Sequence, residues 1–191
     1  MKPMPQRLFL LPLSFVSSLL VLMVFLSSTG NSKEICSQLP NPTNTFHDMK
    51  LESFKKYADE RLGIGVTYSS NNERLSLFKF DLGIDEISAA DEKNTLKQGV
   101  REFVQVAKKL GMSIKTAVRL KNLRIQELLF QNIFLVLVKG DVIEYNFLSI
   151  SHDKNCFYKI RYTDKISLDE NQSIKLFYQY SREILTTKMV N

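Results

Sequence analysis

The chain has 191 residues and carries 26 Lys and Arg against 20 Asp and Glu, a formal charge of +6. That length suits one domain with its own core. So mild an excess of positive charge favours solubility and attraction to anionic surfaces but specifies no ligand, and it argues against a nucleic-acid binder.

The N-terminus reads as an export signal or a membrane anchor. "MKPMPQR" holds Lys2 and Arg7 with no acidic residue, an apolar run follows from Leu8 to Leu26, and "SSTGNS" supplies small residues. Ser28 and Gly30 suit the −3 and −1 positions of a cut after Gly30. The run is longer than the ~7–15 residues of a usual signal core and falls within the ~17–25 that span a bilayer, so an uncleaved anchor competes with cleavage. Both readings place residues 31–191 outside the cytoplasmic membrane, periplasmic or secreted if cut and anchored with the N-terminus inside if not. Lipidation of Cys36 is excluded, because Lys33, Glu34 and Ile35 do not form the small aliphatic box that precedes a lipidated cysteine.

Residues 31–45, with Pro40 and Pro42, read as a linker or tail, and 46–191 as a single domain. Thr45 and Asp48 are spaced to cap a helix through "FHDMKLESFKKYADE", with Phe46, Met49, Phe54 and Tyr57 on one side. From Arg61 the period changes to two: "LGIGVTY", the turn "SSNNE" and "RLSLFKFDL" predict a hairpin. Leu75 and Leu77 sit in one phase and Phe78, Phe80 and Leu82 in the other, which requires either two covered faces or a bulge. The stretch up to "KKLG" then turns helical through Leu96, Val100, Phe103, Ala107 and Leu110, with Gly111 suited to the position after the end.

A long β-rich stretch comes next. Met112, Ile114, Thr116, Val118 and Leu120 alternate with Ser113, Lys115, Ala117, Arg119 and Lys121; "RIQELLF", "IFLVLVK", "VIEYNFLSIS" and "CFYKIRYT" follow. The turns "KGD" and "HDKN" make the last three strands an antiparallel meander. Ser167 and Glu170 form a capping-box pair ahead of a final helix whose stripe is Ile174, Phe177, Tyr178, Ser181, Ile184 and Leu185. The predicted fold class is α+β: an antiparallel sheet built from a hairpin, a helix, a β-meander and a C-terminal helix, covered by amphipathic helices and preceded by the signal or anchor helix.

"GIGVTYSSNNERLSLFKFDLG" followed by a helix, with "CFYKIRYT" near the end, resembles a group of uncharacterised exported bacterial α+β proteins. Their hairpin similarly ends in an aromatic-rich strand with Asp-Leu-Gly, and a late strand reads much like Phe-x-Lys-Ile-Arg-x-Thr. The resemblance covers roughly Leu62 to Thr163. It implies a fold similar to the small α/β/α sandwich of the PsbP and Mog1 proteins, and it brings no functional residue with it.

No catalytic constellation emerges. His47-Asp48 and His152-Asp153 match the histidine–aspartate pairs of metal phosphohydrolases, but two histidines are too few for that ligand set. His152 and Cys156 lack an orienting third group, and Cys156 falls on the apolar side of its strand. Gly63-Ile64-Gly65 lies in a strand and is no nucleotide loop. No metal and no cofactor is expected. Cys36 and Cys156 are a candidate disulfide in an oxidising compartment; the alternative is a buried free Cys156 and a loose Cys36.

In "CFYKIRYT", Cys156, Tyr158, Ile160 and Tyr162 are expected to face the core. Lys159 and Arg161, with Lys115, Arg119 and Lys121 of an earlier strand, form a basic stripe interrupted by Phe157, suited to an anionic lipid head group or polymer, if the two strands are adjacent. The plain alternative is the wet side of a sheet. The function expected is an exported or membrane-anchored, non-catalytic binding or accessory module of the cell envelope, partnered by an anionic membrane surface or an envelope protein. The alternative is a hydrolase acting on an envelope polymer.

Overall fold

Alternating apolar residues need a second strand to satisfy their backbone groups and a second layer to cover their apolar side. The computed structural model describes Cys36, residues 38–165 and residues 169–189. The expected signal or anchor, 1–30, lies outside the described residues, among which no helix is long and apolar enough to cross a membrane. The strands are β1 (Thr45–Phe46), β2 (Met49–Lys56), β3 (Ile64–Ser69), β4 (Glu73–Phe80), β5 (Ser113–Ile125), β6 (Leu128–Lys139), β7 (Val142–His152) and β8 (Phe157–Asp164). Helix α1 (Ala89–Lys109) follows β4, and α2 (Glu170–Met189) follows β8. The fold is α+β, with one antiparallel sheet in the order β1-β2-β3-β4-β8-β7-β6-β5.

The helices cover opposite faces of this sheet. On β7, Leu148 packs with Leu96, Val100 and Phe103 of α1, while its neighbour Phe147 stacks on Phe177 of α2 at 4.8 Å between ring centroids. Adjacent strand residues point to opposite sides, so one helix lies on each. The larger core is on the α2 side and includes Phe134, Phe147, Ile160, Tyr162 and Ile184. Tyr158, Ile160 and Tyr162 face it, as the alternation in "CFYKIRYT" predicts.

The helix expected over "FHDMKLESFKKYADE" is replaced by the β1–β2 hairpin. Phe46 pairs with Met49 across His47-Asp48, and His47 takes a positive φ of 51° in the turn. β2 then pairs with β3 from Lys50↔Ser69 to Lys56↔Ile64. The reason is tertiary: β3 presents an open edge of peptide groups, and local helix propensity is too weak to outweigh filling it. The preceding stretch is held as well, since Cys36 is fully buried and Leu39 packs on the core.

The phase conflict in β4 reflects two covered faces. Its register to β3 and to β8 runs without a shift. Leu75 and Leu77 enter the main core, and Phe80 joins Ile87 and Phe157 in a smaller cluster on the other side. "RIQELLF" is not a strand of its own. It contains the β5–β6 turn, with Gln126 at φ 52°. Helix α1 starts in a capping box, where Ser88 Oγ accepts from Asp91 N and Asp91 Oδ2 accepts from Ser88 N. Ser167 lies outside the described residues. At the start of α2, Asp169 Oδ1 accepts from Gln172 N at 2.9 Å.

Gly63 closes the turn into β3 with φ 60°, and a Cβ there would stand 1.9 Å from the carbonyl oxygen of Lys79 on β4. Gly140 in the β6–β7 turn has φ 57° but nothing within 4 Å of such a Cβ. Gly140→Ala is therefore expected to cost about 1–2 kcal/mol from the left-handed backbone alone. Gly63→Ala adds a backbone collision and should cost at least about 3 kcal/mol. Urea titration of both variants checks this; equal losses would show that β3 and β4 part freely at that point.

Candidate binding site

The structure does not bring the predicted basic residues of the two strands together. Lys159 and Arg161 are on β8, Lys115 and Arg119 are on the edge strand β5, and β7 and β6 stand between. The expected stripe therefore fails on topology. The alternation is right, but the sheet order separates the strands.

Nor do Lys159 and Arg161 form a solvated face, because α1 lies along it. Lys159 is 13% exposed in its side chain, and its Nζ donates to Glu102 Oε2 of α1 at 3.0 Å. The same oxygen accepts from Arg161 Nη2. The Arg161 guanidinium sits 5.0 Å from the centroid of Phe103, and Lys159 Nζ 5.9 Å from that of Phe78. Two cations share one carboxylate in a half-buried place. Burial, and then repulsion from Arg161, lower the pKa of Lys159 despite Glu102. Burial alone would raise the pKa of Glu102, but Lys159 and Arg161 together hold it below the usual carboxylate range. Arg161 Nε is buried without a hydrogen-bond partner among the described residues.

Glu102 and Arg161 of this cluster line a cleft of about 530 Å³ between α1 and the part of the sheet that α1 leaves open. Cross-strand pairing carries Thr67 to Ser76 and Ser76 to Arg161 in one row, and Arg74 to Thr163 to Asn146 in the next. Thr67 and Ser76 are buried and share a hydrogen bond of 3.0 Å between hydroxyls. Thr163 Oγ1 donates to Asn146 Oδ1 at 2.9 Å. Phe103 and Val106 of α1, with Leu110 at its C-cap, form the apolar wall. An adjoining cavity of about 370 Å³ shares Phe78, Glu102 and Arg161 with it and is lined also by Lys159, Tyr57, Leu62 and Leu82. The combination is a cation at the floor, hydroxyl and amide groups beside it, and aromatic and aliphatic walls. Sequence reasoning missed Thr67, Ser76 and Asn146, since small polar residues in strands read as ordinary alternation.

The residues weighed for catalysis have other work. Cys36 and Cys156 form a disulfide with Cα atoms 5.7 Å apart, so neither carries a free thiol. His152 Nδ1 lies 2.5 Å from Oε2 of Glu92, whose Oε1 accepts from Gln131 Nε2, and this pins the start of α1 to β6 and β7. Asp153 shapes the β7–β8 turn by accepting from Asn155 N and Cys156 N, and from the Tyr158 hydroxyl, each at 2.7 Å. His47 pairs with Glu183 of α2 and lies against the ring of Tyr180 at 4.8 Å. Among the described residues no three His, Cys, Asp or Glu side chains are grouped to hold a metal ion. Compared with family models and with curated proteins, the chain matches none.

Proposed function

We propose that the protein is an exported or membrane-anchored, non-catalytic binding module of the cell envelope, and that the α1-side cleft takes a small ligand with one acidic group and an apolar body. The observation that carries the reading is that Glu102 and Arg161 of the cleft lining share their charge with Lys159 of the adjoining cavity, two cations on one carboxylate. One carboxylate leaves an excess positive charge in a half-buried place, and an acidic group from a ligand would complete it. Phe78, Phe103, Val106 and Leu110 suit an apolar body, and the cleft has the size and mixed lining of ligand sites. Export is supported by the apolar N-terminal run and by a disulfide, which persists in oxidising compartments. The floor offers hydroxyls, amides and cations rather than a nucleophile beside a base, which supports binding over hydrolysis.

Thermal unfolding with a series of medium-chain carboxylates and alkyl phosphates, set against the matching alcohols, tests this. At a hundred times Kd a ligand stabilises by about 2.7 kcal/mol, which corresponds to a Tm rise of roughly 5–10 °C. The rise should occur with the acids, fail with the alcohols and vanish in Arg161→Met. Equal shifts for acids and alcohols would remove the cation from the recognition, and no shift with any of them would end the cleft reading.

A further inference from the structure

A second concavity lies across the sheet from this cleft, between the end of β5 and helix α2, with a volume of about 930 Å³. Lys121 and Arg124 stand on its β5 side and Lys175 and Arg182 on its α2 side, all four exposed. None of them takes part in an ion pair among the described residues. The lone carboxylate of the groove, Glu183, is occupied by His47 and by Gln179 Nε2 at 2.9 Å.

The groove is held in shape rather than left to surface chance. A register shift between Leu120 and Leu123 bulges the edge strand at Lys121. The Lys121 carbonyl accepts from Asn132 Nδ2 and from the Tyr178 hydroxyl, both at 2.8 Å. That links the bulge to the sheet on one side and to α2 on the other. Lys175, Tyr178, Gln179 and Arg182 recur at helical spacing along the same face of α2. Four unneutralised cations on two fixed walls repel one another and concentrate anions between them.

We propose that this groove binds a linear polymer of phosphate groups. A chain fits because the cations line two walls of a concavity, where a bilayer surface would reach one wall at a time. The chain carries no bases, because Tyr178 is the one aromatic among the described residues lining the groove and successive bases need a series of rings to stack on. The site is separate from the α1-side cleft and does not depend on what that cleft holds.

The test is titration of the purified protein with inorganic polyphosphate by fluorescence anisotropy, in parallel with oligothymidylate, polyglutamate and phosphatidylglycerol vesicles. Four neutralised phosphates predict that polyphosphate affinity falls about 50-fold between 50 and 200 mM salt. Lys175→Glu with Arg182→Glu should abolish binding with unchanged thermal unfolding, while Lys115→Glu with Arg119→Glu on the same edge strand should lessen it little. Arg161→Met should leave it intact, which separates this site from the cleft. Tighter binding of oligothymidylate would identify a nucleic-acid groove, and tighter binding of vesicles a membrane-docking surface; either result overturns the proposal. Equal binding of polyglutamate, survival of binding in the double glutamate variant, or no binding of polyphosphate also overturns it.

Discussion

Replacing Cys36 and Cys156 together with alanine is expected to destabilise the protein by about 2–5 kcal/mol. The bridge spans 120 residues, so it removes a large loop-closure entropy from the unfolded chain. It also anchors the start of the described chain, where Cys36 and Leu39 reach the core. Tm should fall by roughly 5–20 °C, and a reductant should reproduce the fall in the unaltered protein. Alkylation of the native chain, taken directly from cells, should label neither cysteine until reductant is added. Labelling before reduction would show free thiols in the cell and would remove one support for export. An unchanged Tm in the double variant would mean that the β1–β2 hairpin holds the tail unaided.

Phe147→Ala is expected to cost about 3–5 kcal/mol, the range for emptying a buried aromatic site. Phe147 is fully buried and stacks on Phe134 at 4.9 Å, Phe177 at 4.8 Å and Tyr162 at 5.6 Å. It therefore joins strands β6, β7 and β8 to helix α2. Removing it takes contacts from all four elements at once, and ring neighbours of that size cannot close the space. Phe147→Leu keeps most of the volume and should cost less than about 1.5 kcal/mol. Urea denaturation measures both, and hydrogen exchange in α2 should quicken in the alanine variant alone. A loss under 1 kcal/mol for Phe147→Ala would mean that α2 is held chiefly by other contacts, such as that of Ser173 Oγ with Asp164 Oδ2 at 2.5 Å.

Much of this fold is legible in short-range patterns. The helical period of Leu96, Val100, Phe103 and Ala107 corresponds to α1, and the period of two in "CFYKIRYT" puts Tyr158, Ile160 and Tyr162 in the core. The turn signals "SSNNE", "KGD" and "HDKN" all fall between paired strands. These features are settled within a few residues by side-chain periodicity and backbone geometry, so one sequence suffices to read them. "FHDMKLESFKKYADE" was misleading for the complementary reason. Its own residues suit a helix, and it becomes a strand because β3 offers it an edge.

The candidate sites needed the tertiary structure. Lys159 and Arg161 alternate outward by sequence, but Glu102, which they share, is 57 and 59 residues away. Lys121 and Arg124 meet Lys175 and Arg182 only because α2 returns across the sheet to the edge strand. What the residues by themselves determined is the phase of each strand, the stripe of each helix and the scarcity of catalytic groups. What only the folded chain decided is the order β4-β8-β7-β6-β5, in which β7 and β6 part Lys159 and Arg161 on β8 from Lys115 and Arg119 on β5. Strand neighbours are chosen by competition among open edges across the whole domain, with loop closure rising only slowly with length, so no local pattern of charges can announce them.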